Sequence, residues 1–199
     1  MNLIYEDFNI IKGNIPIILS APHCKEQLRE GKIKTHESGT DTLAIQVSKK
    51  TNCSCIYKTK FYNNDPNWDE ISTYKNELKE FINKNNIKYL LDFHGMKAER
   101  KSDICIGTGF FKNLCGRKDL LNSISKIFKS HGFKNISIDI PFSASNPNVI
   151  SSFISSNCHI PCFQIEINNR FRSKKYNEYN LNLLVDVFIE IIEFLKKDI

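Results

Sequence analysis

Lys88-Tyr89-Leu90-Leu91-Asp92-Phe93-His94-Gly95-Met96 is the stretch from which the fold is read. Its apolar first half suits the start of a buried strand, and it stops on Asp92, Phe93, His94 and Gly95, where a parallel strand meets its loop. Open α/β sheets bind ligands at the carboxyl ends of their strands. A histidine placed there, with an aspartate two residues back on the same strand face, suits a metal ligand. The question for the remaining sequence is whether it supplies other ligands.

Working outward, Ile15 to Ser20 is a second apolar run, and it ends in Ala21-Pro22-His23-Cys24, again a strand with a polar exit. Residues 25–39 are highly charged, contain Gly31 and Gly39, and read as a loop carrying Arg29, His36 and Glu37, with Asp41 just beyond. From Thr40, Leu43, Ala44 and Val47 recur at helical spacing. Cys53 to Lys60 is a strand, followed by the turn-rich Phe61 to Trp68 and a helix through Tyr74, Leu78, Phe81 and Ile82. Further on, Lys118 to His131 reads as a helix, Ile136 to Ile140 as a strand, and Val149 to Ser156 as a short helix. Cys162 to Ile167 is a strand with one carboxylate, Glu166, in an apolar context. An amphipathic helix with Leu181, Leu184, Val185, Phe188, Ile192 and Leu195 on one face closes the chain. Strands alternating with helices predict an α/β fold with a mixed, mainly parallel sheet flanked by helices. With no repeat or linker visible, residues 1–199 are expected to form a single domain.

Composition narrows the classes. Of 199 residues, 41% are hydrophobic and 25% charged, an ordinary globular balance. No apolar run approaches the roughly 20 residues that span a bilayer, so no membrane partner is expected. The start, Met1 to Asp7, is acidic early and lacks the pattern of a signal peptide. Seven cysteines, an odd number set mostly in apolar runs and forming no CxxC pair, fit reduced thiols. A cytoplasmic protein is expected. The net charge of +6 is spread over helices without a basic block, which favours acidic small substrates and gives nucleic-acid binding no specific support. The glycines of Gly107-Thr108-Gly109 lack the spacing of a phosphate loop.

His23, His94 and one acid from Glu37 or Asp41 make up the donor set of a catalytic zinc, which takes three protein ligands and leaves one position for water. Glu166 suits the general base, because Ile165 and Ile167 point to the opposite face from Gln164, Glu166 and Asn168. Burial there raises its pKa toward a useful range. Each residue has a structural alternative. Glu166 could pair with Arg170 or Arg172, and Asp92 could cap a loop or orient His94.

Ser20-Ala21-Pro22-His23, Glu37 to Ala44, Leu91-Asp92-Phe93-His94-Gly95, Asp103 to Gly107 and Gln164 to Asn168 resemble, in order, the motifs of the N-formylglutamate amidohydrolase family, and Pro141-Phe142 falls at a similar loop. The likeness runs from about residue 15 to 172. It implies the phosphorylase/hydrolase-like fold shared with zinc carboxypeptidases and aspartoacylase, one zinc ion per chain, and hydrolysis of an amide next to a carboxylate. Carried over by position, His23, Glu37 and His94 are the metal ligands, Asp41 the reserve, and Glu166 the catalytic carboxylate. The chain departs from the family at Asp65-Pro66-Asn67-Trp68, where an Asn-Arg pair that can clamp a substrate carboxylate is usual, and at Cys24, where a small residue is usual. An anionic substrate would then fall to Arg170, Arg172, Arg100 or Arg29, with Asn67, Trp68 and Asn168 nearby. The expected partner is an acyl-amino acid or short peptide. The sequence also admits two alternatives: a peptidase or peptidoglycan amidase using the same residues, and a thiol hydrolase using Cys24, or Cys158 with His159. A non-catalytic binding protein on the same fold is a further alternative.

Overall fold

A computed structural model describes residues 2–172 and 178–199. The elements in chain order are β1 (Asn2–Ile4), β2 (Phe8–Ile11), β3 (Ile15–Ala21), β4 (Gln27–Arg29), β5 (Lys32–Lys34), α1 (Thr40–Thr51), β6 (Cys53–Lys58), α2 (Thr73–Lys84), β7 (Tyr89–Met96) and β8 (Ile104–Gly107). They continue as α3 (Lys118–Ser130), β9 (Ile136–Ile138), α4 (Ile150–Cys158), β10 (Cys162–Asn168), α5 (Asn169–Arg172) and α6 (Glu178–Lys196).

Eight strands form one sheet in the order β1-β2-β6-β3-β7-β10-β8-β9. Its centre, β6-β3-β7-β10, is parallel throughout, while β2 on β6 and β8 on β10 run antiparallel. The expected mixed, mainly parallel α/β sheet is therefore present. Side chains alternate across it with period two. Leu91 and Phe93 of β7, and Phe163 and Ile165 of β10, point into the layer built with α1, α3 and α6, where Phe93 meets Phe188 at 4.5 Å between ring centroids. Leu90 and Cys162 point the other way, into the layer that includes Tyr74, Leu78 and Ile154. The same alternation puts Asp92, His94, Gln164 and Glu166 on that second face, beyond the end of its apolar filling.

The chain leaves β3 through α1 to reach β6 on one side, and returns through α2 to reach β7 on the other. The carboxyl ends of β3 and β7 thus flank a topological switch point, the crevice where open α/β sheets place their ligands. His23 lies just past one of these strands and His94 near the end of the other.

Three local expectations differ from what is found. The strand at residues 89–96 does not give way to its loop across Asp92 to Gly95 but runs to Met96, because pairing with β10 continues through Glu166↔His94 to Asn168↔Met96. Residues 25–39 are not simply a loop: β4 and β5 make a hairpin whose turn, Glu30-Gly31, has φ of 50° and 71°. Positive φ at both central residues is what a two-residue hairpin turn demands. The strand at residue 136 ends at Ile138, since Asp139 turns away at φ 59° and accepts bonds from Thr108 N and Oγ1, both at 2.6 Å. The two N-terminal strands were not anticipated; each is only three or four residues long.

Candidate metal centre

His23 follows the tip of β3 and is 3% exposed. The Glu37 backbone N–H donates to the His23 carbonyl at 2.7 Å and folds the charged segment back over the strand end. Gly39 makes this return possible: its φ is 87°, and a Cβ there would run into the Arg172 carbonyl. Glu37 thereby sits between the histidines. Its Oε1 lies 3.1 Å from His23 Nδ1, and its Oε2 lies 3.3 Å from His94 Nδ1 while accepting Gly95 N–H at 2.8 Å. The imidazole rings meet edge to face at 4.8 Å.

The far nitrogen of each ring is also held. His23 Nε2 pairs with Asp65 Oδ1 at 2.7 Å, and His94 Nε2 with Asp92 Oδ2 at 3.1 Å. Both rings therefore turn Nδ1 inward and give Nε2 to a carboxylate, the outer support that fixes tautomer and orientation of metal-binding histidines. Asp65 is itself anchored: its Oδ2 receives Arg29, its Oδ1 also accepts Asn67 N–H at 3.0 Å, and its own N–H donates to Asp69 at 2.7 Å.

In this cluster charge pairing opposes burial. Burial alone would lower the pKa of His23, but Glu37 and Asp65 outweigh it and raise it to about 9. His94 is likewise lowered by burial and raised further by Asp92 and Glu37, to well above its ordinary value. Burial would raise Glu37, yet the two imidazoles drive it far below the ordinary carboxylate range. For Asp65 the same opposition ends at about 2, mainly through its bond to His23. Two buried imidazoles set among the carboxylates of Glu37, Asp65 and Asp92 favour positive charge at the centre. One divalent ion replacing the Nδ1 protons meets that requirement, and the donor atoms of His23, Glu37 and His94 all lie within 4.8 Å of one another. Two imidazoles and a carboxylate are a donor set suited to zinc and to several other divalent ions. Asp41 stands apart, bonded to Lys25 at 3.3 Å and capping Thr42 N–H at 2.8 Å.

Glu166 faces this cluster from β10, in register with His94 and 6% exposed. Gln164 Nε2 donates to its Oε1 at 3.1 Å. Burial is the main cause that pushes Glu166 up from 4.5 to about 7; His94 opposes it and Glu37 adds to it. A carboxyl that binds its proton more tightly in the fold than in the unfolded chain stabilises the fold below pH 4.5. It loses that contribution as pH rises through 7. Glu166→Gln carries no such charge. It is expected to stabilise the metal-free protein at pH 8 by about 2–3 kcal/mol and to change little near pH 4. Urea midpoints with chelator at both pH values measure this, and equal midpoints at pH 8 would contradict the burial argument.

These residues open into a cleft of about 730 Å³, also lined by Arg29, Lys34, Asn67, Trp68, Lys97 and Phe142. Of the residues named from sequence as substrate contacts, Arg29, Asn67 and Trp68 line it. The other four brace its surroundings. Arg100 lies over the Phe142 ring at 5.5 Å, and Asn168 donates to the Arg100 and Ser102 carbonyls at 3.1 and 3.0 Å. Arg170 bonds the Ala98 carbonyl at 2.8 Å and pairs with Asp103 at 3.1 Å. Arg172 is buried against Gly95 and donates to the Ile167 and Ser38 carbonyls. Among the described residues, neither Arg170 nor Arg172 forms an ion pair with Glu166.

The thiol alternative does not fit the placement of its residues. Cys24 is 3% exposed, donates to the Ala21 and Lys58 carbonyls, and is pushed up to about 12 by burial. A thiol of that kind is inert as a nucleophile. Cys158 and His159 line a different cleft, with Cys115 and Arg117. Sequence reasoning gave Asp65 no role in the site, and it named Arg29 without a partner. The available signal for Asp65 was an acid in a turn-rich segment after a strand, the same kind of position as His23.

No protein-family model matches the chain, and no curated protein matches it in sequence. Solved structures do match its fold. An N-formylglutamate amidohydrolase from Ralstonia eutropha JMP134 aligns with a TM-score of 0.68 at 10% identity, over 97% of this chain and 99% of its own. A bacteriophage poly-gamma-glutamate hydrolase aligns at 0.64 and 17% identity, over 95% and 89%. A metallo-carboxypeptidase from Pseudomonas aeruginosa aligns at 0.52 and 11% identity, over 95% of this chain but 59% of its own. The fold is thus that of the zinc carboxypeptidase-like hydrolases. The family that the ordered motifs resemble is among these structural relatives.

Proposed function

We propose that the chain is a metal-dependent hydrolase of carbon–nitrogen amide bonds, acting on an N-acyl amino acid or a related small carboxylate. The observation that carries this is the convergence of His23, Glu37 and His94 on one point, facing the buried carboxyl of Glu166 across a cleft at the switch point of the sheet. Those three residues would hold one zinc ion, which when bound supplies Lewis acidity and lowers the pKa of water toward neutrality. Asp65 and Asp92 keep the imidazoles aimed inward. Glu166, with a proton affinity near neutral pH, accepts a proton from the attacking water and delivers it to the departing nitrogen. Gln164 holds the Glu166 carboxylate by one oxygen and leaves the other to the reacting atoms. Free thiols at all seven cysteines accord with a cytoplasmic setting. Among the described residues, no helix is long and apolar enough to cross a membrane.

The substrate class rests on the lining of the cleft, whose charged groups outside the metal and proton-transfer residues are all cationic, and on two structural relatives whose names specify glutamate amides. A peptide-sized substrate is the second reading. A cleft of about 730 Å³ equals roughly two dozen water volumes, more than a single acyl-amino acid fills. A panel of N-formyl, N-acetyl and N-succinyl amino acids beside γ-glutamyl oligomers and short peptides, scored by amine release, separates the two. Release that stops with chelator and returns with zinc is expected. No release from any member by the zinc-loaded protein would overturn the proposal.

A further inference from the structure

The charged groups that line the cleft fall into two sets. Glu37 and Glu166 belong to the proposed metal and proton-transfer machinery, and the remaining ones are Arg29, Lys34 and Lys97. Lys34 and Lys97 are exposed. A bond from either to a ligand must first immobilise a long, freely rotating side chain. Arg29 is already immobilised. Its Nε and Nη2 both reach Asp65 Oδ2 at 2.7 Å, and its guanidinium lies over the Trp68 ring, 4.8 Å from the centroid.

Asp65 is wholly buried, and its second oxygen holds His23. The guanidinium therefore stands at a fixed offset from the first metal ligand, through one shared carboxylate. Its side chain is still 25% exposed, and among the described residues Nη1 makes no hydrogen bond. A planar fork held along one edge and one face presents its remaining N–H groups in one direction. The partner such an edge recognises best is a carboxylate, through parallel charge-assisted bonds.

We propose that Arg29 is the carboxylate receptor of this cleft, and that it sets which end of the substrate lies toward the β4–β5 hairpin. The assignment rests on the hydrolase proposal for its meaning in turnover, but binding alone can test it. It adds no chemical step, since the carboxylate exchanges water for N–H donors and no bond or proton moves. Its consequence is selectivity: an amide whose free carboxylate reaches Arg29 places its carbonyl beside His23, Glu37 and His94, whereas the corresponding carboxamide presents an N–H group to a cation.

The test pairs the best substrate of the panel with counterparts in which each carboxylate in turn is a carboxamide, on zinc-loaded protein. Wild type is expected to prefer one carboxylate by about 10- to 100-fold in kcat/KM. Arg29→Gln should shrink that preference to within about threefold, and Arg29→Lys should keep part of it. Survival of the full preference in Arg29→Gln would overturn the assignment. So would an equal loss on both substrates together with loss of metal, which would make Arg29 only a brace for Asp65. Calorimetric binding of glutarate against glutaramide to the zinc-loaded protein needs no turnover. Tighter glutarate binding that Arg29→Gln abolishes supports the receptor even if every panel substrate fails. Equal binding of the two overturns it while leaving the hydrolase proposal standing.

Discussion

Glu166→Gln is expected to lower kcat by about 10²- to 10⁴-fold, the range that a positioned general acid–base contributes, while metal content stays at the wild-type level. The substitution is close to isosteric, and the glutamine oxygen can still accept the bond that Gln164 Nε2 now gives to Glu166 Oε1. What it removes is the capacity to take a proton. That capacity is tuned by the site, because burial raises the carboxyl to about 7 against the pull of His94. A carboxyl raised by burial toward neutral pH serves both as base toward water and as acid toward the leaving nitrogen. An interaction used only in the transition state should appear in kcat, with KM little changed. Turnover within about threefold of wild type would remove Glu166 from the mechanism.

His94→Ala is expected to weaken metal binding by more than about 100-fold, beyond the 10- to 100-fold that loss of an outer support produces. His94 is 1% exposed and lies between Glu37 and Asp92. Truncation removes one donor, leaves Asp92 without its imidazole and leaves Glu37 with His23 alone, an unfavourable arrangement for buried charge. Asp65→Asn supplies the graded comparison. It leaves all three donors in place but exchanges the carboxylate behind His23 Nε2 for a neutral group, so its loss should fall in the 10- to 100-fold range. Competition titrations against a chelator of known affinity give both numbers. Equal effects of the two substitutions would mean that the donors do not act as a set.

The parts of this centre legible in the sequence are those carried by regular strands. Leu90, Leu91 and Phe93 alternate with Asp92 and His94 along one strand, and Gln164 and Glu166 alternate with Phe163 and Ile165 on its neighbour. Period two alone therefore puts the polar groups on one face. What could not be read is the convergence brought about by irregular backbone. Glu37 reaches His94 because Gly39 adopts a positive φ under the Arg172 carbonyl, a contact between residues far apart in sequence. Asp65 reaches His23 across 42 positions, from a segment without periodicity. The β4–β5 hairpin has only three residues per strand, with Leu28 and Ile33 paired on one face and Gln27, Arg29, Lys32 and Lys34 on the other, too short an alternation to mark it. Arg170 and Arg172 looked like substrate ligands because they follow Glu166 closely. The chain turns into α5 immediately after β10 and carries both guanidinium groups to backbone carbonyls instead.

The most direct test of the account is the metal content of the purified wild-type protein by elemental analysis, together with an anomalous difference map of its crystals. One zinc per chain is expected, with a single peak between His23, Glu37 and His94. A protein that stays metal-free after incubation with zinc, or a peak that lies elsewhere, would contradict the central claim.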